Sequence, residues 1–215
     1  MNTGIEKPGL DGVSIRRETE ADFREVENLV REAFWNVYRP GCLEHYLLHC
    51  FRRRPEFVPE LDLVMEKGGR IIGQVMYARS EIATDGGGAL PVMTFGPIGI
   101  LPEFQRQGLG LFLLKDSMRR AAAMGAGALA IEGNIGFYGK AGFSVGSAMG
   151  IHYYAEPREN EVPYFLVAEL VPGYLNGVTG TYRDPEGYNV AKEKAEEFDK
   201  GFPKKEKLVL PGQLP

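Results

Sequence analysis

The segment GPIGILPEFQRQGLGLFLLKDSMRRA, from Gly96 to Ala121, joins an apolar run, a glycine-containing turn and a helical pattern without interruption. The first N–H groups of a helix have no partner within the helix, and the helix dipole favours negative charge in front of them. Gly108 and Gly110 carry no Cβ, so an anion can approach this main chain closely, and Arg106 adds a positive charge. The segment therefore predicts an anion-binding turn, although a lone pair of glycines can also simply shape a turn.

Two familiar phosphate motifs do not fit the chain. The dinucleotide fingerprint requires a third glycine at the position of Leu113, and it follows a parallel strand-helix-strand start that the preceding strands do not provide. A P-loop ending at Gly139-Lys140 would require glycine at Asn134 and a hydroxyl residue at Ala141. Neither motif explains the turn.

The patterns before the turn predict a strand, a helix, a second helix in CLEHYLLHCFRR and then a meander. VSIRRETEADFREVENLVREAFW begins as a strand and continues as a helix, with Thr19 as the candidate N-cap. In ELDLVMEKGGRIIGQVMYARSEIAT the Gly-Gly of residues 67–70 supplies the positive φ of a hairpin turn, and residues 85–88 form the next turn. We therefore expect three consecutive antiparallel strands, followed by a helix from about Gly108 to Met124.

The patterns after the turn predict a strand at Ala128–Ile131, a short helical segment IGFYGKA and a strand that begins at Gly142-Phe143. The connecting helix suggests parallel pairing across this crossover, and VPYFLVAEL supplies one further strand. The predicted organisation is a tail at residues 1–12, a domain at 13–170 and a C-terminal extension at 171–215. We expect this charged extension to pack on the domain or trail from it.

Composition excludes several functions. With 215 residues, 44% of them hydrophobic, and a formal net charge of -4, the chain has no general attraction to nucleic acid. The basic run FRRRPEF fits the solvated end of a helix. Because residues 1–12 lack a signal-peptide core and no segment has the length of a membrane span, we expect a cytoplasmic monomer or homodimer without membrane contact.

The sequence CLEHYLLHC suggests a metal site at first sight. Cys42 and Cys50 would lie roughly 12 Å apart along one helix, too far to complete a tetrahedral site together. We therefore expect no metal at these residues. The helical spacing instead predicts a polar face that carries both histidines and a buried stripe with the members Leu43, Tyr46, Leu47, Cys50 and Phe51.

Two motifs in this order resemble the GNAT superfamily of acetyl-CoA-dependent N-acetyltransferases. The turn QRQGLG at residues 105–110 is similar to the family's Gln/Arg-x-x-Gly-x-Gly/Ala pattern, and YGKAGF at residues 138–143 is similar to its Tyr-x-x-x-Gly-Phe pattern. The resemblance extends over roughly Val13 to Leu170. It implies an α/β (α+β) fold with a mixed, mostly antiparallel central sheet, flanked by helices and splayed at its central strands.

The resemblance also implies which residues bind acetyl-CoA. Backbone groups of Ile98 and Ile100, with Gly99 between them, would pair with the pantetheine arm. Asn134 would contact the same arm, and Tyr138 would lie beside the thioester sulfur as the general acid. The loop that holds the pyrophosphate would consist of Gln105, Arg106, Gln107, Gly108, Leu109, Gly110 and Leu111. At Gly99, many members of the family carry a slightly larger residue.

Amide formation from a thioester requires an unprotonated amine, stabilisation of the oxyanion and a proton for the departing thiolate. The N–H of Ile100 can polarise the carbonyl, and Glu132 or Glu81 can act as the base through water. The expected activity is acetyl transfer from acetyl-CoA to a primary amine by direct attack. A non-catalytic acyl-CoA sensor and a purely structural domain are the alternatives. The acceptor stays open between a small amine, an amino acid, an antibiotic and a protein terminus.

Overall fold

The computed structural model describes residues 10–214, which form a mixed sheet flanked by helices. The sheet has the strand order β1-β2-β3-β4-β5-β8-β6, while β9 pairs with both β3 and β7. All pairs are antiparallel except β4 with β5 and β7 with β9, so the predicted fold class is confirmed. The strands are β1 (Val13–Arg17), β2 (Leu63–Lys67), β3 (Arg70–Thr84), β4 (Ala89–Ile100), β5 (Ala128–Glu132), β6 (Ser144–Val145), β7 (Ile151–Tyr153), β8 (Phe165–Glu169) and β9 (Gly180–Tyr182).

Helices cover both faces of the sheet. A Cβ built on Gly99 would lie 3.2 Å from Ala33 of the first helix, whereas one on Gly110 of the third helix would lie 3.7 Å from Ile100. Because successive side chains of a strand point to opposite faces, these helices lie on opposite sides of β4. Within residues 10–214 no helix is both long and apolar enough to cross a membrane. The helices are α1 (Phe23–Phe34), α2 (Glu44–Phe51), α3 (Leu109–Ala123), α4 (Ile135–Tyr138) and α5 (Lys192–Asp199).

The predicted meander is confirmed in β2, β3 and β4, which pair in sequence. Gly68 and Gly69 have φ of 60° and 78°, the conformation for which glycine was expected. Between the pairs Val75↔Ile98 and Tyr77↔Phe95, β4 contains one residue more than β3. This bulge at residues 96–97 bends β4 at its middle.

The parallel pair of the central sheet is β4 with β5, and it has the single registered position Met93↔Leu129. The predicted parallel pairing of β5 with β6 is wrong. Strand β8 lies between these two strands and pairs antiparallel with both. The strand that pairs with β5 here is therefore β8, which comes later in the chain than β6, the strand that the crossover predicts.

The predicted buried face of α2 is confirmed at Phe51 and wrong at its other members, since the buried residues of this helix are His45, Leu48 and Phe51. His45 has no exposed surface because Phe198 and Phe202 pack on its ring, with centroids 5.4 and 5.2 Å away. Burial lowers the pKa of His45 to about 4. The C-terminal segment thus covers the face that the spacing alone assigned to solvent.

The chain after residue 170 contributes to the sheet. Strand β9 pairs with the end of β3 through Ile82↔Tyr182, and the sequence did not predict it or β7. Asp199 of α5 accepts a 2.5 Å hydrogen bond from Nε of the buried Arg31. These contacts join residues 180–199 to the sheet and to α1.

The first arginine of FRRRPEF is buried rather than solvated. Arg52 donates hydrogen bonds of 2.7 Å to Glu18 and 2.9 Å to Glu27, and its Nε lies 3.8 Å from Asp62. Three carboxyl groups therefore surround one arginine in a buried cluster. Burial and the neighbouring Asp62 carboxyl raise the pKa of Glu18 to about 9, although Arg52 opposes the rise.

This raised pKa predicts a pH-dependent stability. The folded protein keeps a proton on Glu18 that the unfolded chain releases near pH 4.5, so its contribution is complete below that pH and is lost as the pH rises towards about 9. In urea unfolding between pH 5 and 9, Glu18→Gln should flatten the decline of the unfolding free energy, by up to about 1.4 kcal/mol per pH unit. Glu56→Gln, in a surface pair with Arg54, serves as the control. Equal slopes for wild type and Glu18→Gln would contradict the protonated carboxyl.

Candidate active site

The loop between β4 and α3 has the backbone conformation of an anion site. Arg106 and Gly108 both adopt positive φ, 58° and 82°, so successive N–H groups turn towards a common side. The first bonded N–H of this region is that of Phe112, which donates to the Gly108 carbonyl. Among the described residues, no acceptor receives a hydrogen bond from the N–H groups of residues 106–111. The loop therefore presents a row of free donors at the start of a helix.

The two glycines of the loop have different roles. Gly108 has open space where a Cβ would stand, and its positive φ is the reason that a side chain is disfavoured there. Gly110 has ordinary helical geometry, but its Cβ would lie 3.7 Å from both Ile100 and Phe137. Glycine at this position leaves room between α3 and the end of β4.

The edge of β4 that faces β5 carries free main-chain groups. Leu101 donates a 2.9 Å bond to Ile72 of β3, and in an antiparallel ladder the groups that point to one neighbour alternate along the strand. The main-chain N–H and C=O groups of Gly99 therefore also point to β3. Those of Ile98 and Ile100 point the other way, into the gap that opens between β4 and β5 beyond the pair Met93↔Leu129. The Gln105 side-chain amide donates to the Ile100 carbonyl at 2.9 Å, which fixes the loop to the strand. Gly99 is glycine because α1 packs directly on it.

Tyr138 lies on α4 beside the same gap. Its ring contacts Phe95 and Phe143, and it rests on Gly133, where a Cβ would come within 2.2 Å of the ring. Its hydroxyl makes no hydrogen bond to any described residue, so it is not a structural phenol of the kind that anchors a backbone carbonyl. Burial raises the pKa of Tyr138, so the phenol stays protonated at neutral pH.

Asn134 is the N-cap of α4. Its Oδ1 accepts a 2.7 Å hydrogen bond from the Gly136 N–H, and its side chain is exposed. The carboxamide therefore positions the short helix that carries Tyr138.

A second group of polar side chains lies at the end of β5. The Tyr153 hydroxyl lies 2.6 Å from Glu132 Oε1 and 2.6 Å from Asp184 Oδ2. Of these three residues the sequence pattern indicates only Glu132, because Tyr153 belongs to the unpredicted β7 and Asp184 follows the unpredicted β9. The one available signal was the alternation in the short runs IHY and GTY, which is too brief to identify a strand.

Glu81 does not join this group. It is exposed and pairs with Pro91, seven positions before Ile98 on β4 and so roughly 20 Å away along an extended strand.

The C-terminal segment contacts the bulge of β4. Tyr188 donates a 3.1 Å hydrogen bond to the Gly96 carbonyl. Its ring borders a cavity of about 220 Å³, and Arg39 Nε is buried there without a hydrogen-bond partner among the described residues. The remaining lining residues are Leu43, Glu44, Leu47, Asn189 and Val190. No group of three or more His, Cys, Asp or Glu side chains within residues 10–214 has the arrangement of a metal site.

These parts form a continuous site. A loop of free N–H donors suits a phosphate, and the adjoining edge of β4 suits an extended chain with amide groups. The Tyr138 ring rests on Gly133, the residue that follows Glu132 at the end of β5. A proton donor and proton acceptors near the end of one strand can serve acyl transfer.

Solved structures share this fold. A GNAT family N-acetyltransferase from Escherichia coli, crystallised with CoA, superposes with a TM-score of 0.71 at 23% identity, over 83% of this chain and 92% of its own. A GNAT family acetyltransferase from Brucella melitensis, crystallised with acetyl-CoA, gives a TM-score of 0.65 at 20% identity, over 82% and 98% of the two chains. No curated protein sequence matches this chain significantly.

The sequence itself matches a family model. The model describes an acetyltransferase (GNAT) domain and matches residues 14–146, which include the loop, the bulge, the gap and Tyr138. This range is more than half of the chain. The expected family is confirmed, and the protein belongs to the GNAT acetyltransferases.

Proposed function

We propose that this protein binds acetyl-CoA and transfers the acetyl group to a primary amine by direct attack. The main observation in support is the loop of free N–H donors that leads into the splayed edge of β4. The N–H groups of residues 106–111 would hold the pyrophosphate, with the Arg106 side chain as a mobile counter-charge. Two GNAT structures with the same fold contain CoA or acetyl-CoA, which agrees with this proposal.

The pantetheine arm would add to β4 as an extra strand. The main-chain groups of Ile98 and Ile100 that point into the gap would pair with its amides. Gln105 already satisfies the Ile100 carbonyl, so the Ile100 N–H is the group left to polarise the thioester carbonyl. Gly110 would give the arm its clearance between α3 and β4.

Tyr138 would protonate the departing thiolate. Its hydroxyl has no hydrogen-bond partner among the described residues, and it borders the gap in which the thioester would lie. The raised pKa keeps the proton on the phenol until it is needed. A thiolate in the same water-poor gap also has a raised proton affinity, which compensates for the weaker acid.

The acceptor amine would approach from the side of Tyr188, where the cavity of about 220 Å³ lies next to the bulge. Of the two candidate bases, Glu132 at the end of β5 is better placed than Glu81, which is roughly 20 Å from Ile98. An acceptor panel, read by CoA release with mass-spectrometric identification of the product, tests the activity. Acetyl-CoA binding without any product would favour the sensor, and no binding would favour the structural domain.

Gly108→Val should abolish or weaken acetyl-CoA binding. A branched side chain at φ 82° shifts the loop, and each lost charge-assisted hydrogen bond costs about 1.5–3 kcal/mol, so calorimetry should show at least about a ten-fold rise in Kd.

Gly125→Val is the matched control, because Gly125 has φ 92° and open space at the other end of α3. Both variants should lose similar stability, and only Gly108→Val should lose affinity. Equal affinities in the two variants would refute the loop as the binding site.

Tyr138→Phe should lower kcat by about ten-fold or more while the Kd for acetyl-CoA and the Tm stay nearly constant. The change removes the proton but keeps the ring, and general acid catalysis contributes about 10²–10⁴-fold. No protein hydrogen bond is lost, since the hydroxyl has none among the described residues.

Tyr77→Phe gives the opposite expectation. The Tyr77 hydroxyl is buried and hydrogen-bonded to Ser117 at 2.8 Å, so its loss should cost about 1 kcal/mol of stability without reducing kcat. Unchanged turnover in Tyr138→Phe would exclude Tyr138 as the general acid.

A further inference from the structure

The contacts of Tyr153 require one more proton than its phenol supplies. Its oxygen lies 2.6 Å from a carboxyl oxygen of Glu132 and 2.6 Å from one of Asp184. A phenol donates one hydrogen bond, and an ionised carboxylate donates none. With both carboxylates ionised, one of these short contacts would join two lone pairs. The arrangement therefore fits a state in which one carboxyl is protonated and donates to the phenol oxygen.

The surroundings favour such a shared proton. Glu132 is exposed at the end of β5, but partial burial of its carboxyl raises its pKa; the Tyr153 hydrogen bond opposes this rise and the Asp184 charge adds to it. Neither carboxylate forms an ion pair with any basic group in residues 10–214. The other titratable groups that face the pair are the phenols of Tyr164, Tyr182 and Tyr188, and the neighbouring cation Arg183 lies over the ring of Tyr154.

Polar side chains also surround the neighbouring phenol. The Tyr182 hydroxyl is fully buried, and the polar groups within its reach are Thr94, Ser80 and Asp184. Tyr182 therefore adds a neutral phenol beside Asp184 and no positive charge that would offset the two carboxylates.

The cluster also borders the gap of the proposed reaction. Glu132 ends β5, and the next residue, Gly133, is the one on which the Tyr138 ring rests. Along β5, Glu132 shares a face with Ala128 and Ala130, whose core cluster contains Tyr153 and Tyr182. It therefore lies on the other face of the sheet from Tyr138, on the side from which an acceptor would enter.

We propose that Glu132, Tyr153 and Asp184 form one proton-accepting unit for an acceptor that arrives as an ammonium ion. This inference rests on the proposed acetyl transfer. Glu132 is the group that takes the proton, while Tyr153 and Asp184 are positioning residues that act through it. With both carboxylates ionised the unit carries two negative charges, and the first proton from the ammonium gives the two short hydrogen bonds of the structure.

The proton balance closes. The free amine attacks the thioester carbon, its C–N bond forms and the C–S bond breaks. The nitrogen then loses a second proton, which matches the one that Tyr138 gives to the sulfur, so each turnover releases one proton to solvent. The substrate class that needs this unit is an aliphatic primary amine, because an aromatic amine is already neutral at pH 7.

The first test counts protons without any substrate. Infrared difference spectra between pH 5 and pH 9 should show one carboxyl of this unit that is protonated at the lower pH and ionises as the pH rises, and this band should be lost in Glu132→Gln and in Asp184→Asn. Glu159→Gln, an exposed glutamate after β7, is the matched control and should leave the band unchanged. Glu18→Gln identifies the separate band of the Arg52 cluster. A wild-type band that persists in both Glu132→Gln and Asp184→Asn would overturn the shared proton.

The second test follows turnover against pH with the best aliphatic amine of the acceptor panel. Glu132→Gln should lower kcat/KM by about 10²-fold, the usual contribution of a general base, with the Kd for acetyl-CoA unchanged. Asp184→Asn should shift the acidic limb of the profile to lower pH by about one unit or more, because Glu132 then ionises more readily. Tyr153→Phe should shift the limb as well.

The outcomes separate this inference from the proposed function. Normal turnover and an unshifted profile in Glu132→Gln and Asp184→Asn would overturn the unit and leave the acetyltransferase intact. Absence of acetyl-CoA binding in calorimetry of the wild type would overturn the proposed function, and the inference with it. Equal losses of activity for aniline and benzylamine in Glu132→Gln would contradict the role in deprotonation.

Discussion

Strand β4 cannot keep hydrogen bonds to both of its neighbours over its whole length, and the site depends on this constraint. The bulge at residues 96–97 preserves the pairing with β3, but β5 stays in register only at Met93↔Leu129. An unpaired strand edge is normally found at the border of a sheet, where it invites further pairing. Here the unpaired edge lies inside the sheet, between helices, so a ligand of limited width can reach it while another chain cannot.

Features that depend on neighbouring residues could be predicted from the sequence. The turns at residues 67–70 and 85–88 and the loop before α3 depend on glycines that adopt positive φ, and the structure has positive φ at Gly69, Gly87 and Gly108. Glycine leaves a strong local signal because few other residues tolerate that backbone conformation. The helix after the loop was predicted to within a residue or so at each end for the same reason.

Features that depend on distant contacts could not be predicted. Strands β7 and β9 have only three residues each, too few to establish an alternating pattern. Asp184 and Tyr188 consequently appeared as parts of an extension, although the first contacts Tyr153 and the second contacts the bulge. His45 was assigned to a polar face because nothing local indicates that Phe198 and Phe202 cover it.

The hydrogen bond from Tyr188 to the Gly96 carbonyl joins residues 92 positions apart. Docking of the C-terminal segment is therefore thermodynamically coupled to the shape of the β4 bulge. A ligand that binds better to the intact bulge must favour the docked segment by the same free energy, since linkage is reciprocal. Occupancy of the gap would then be reported far from it, as slower amide hydrogen exchange in residues 180–199.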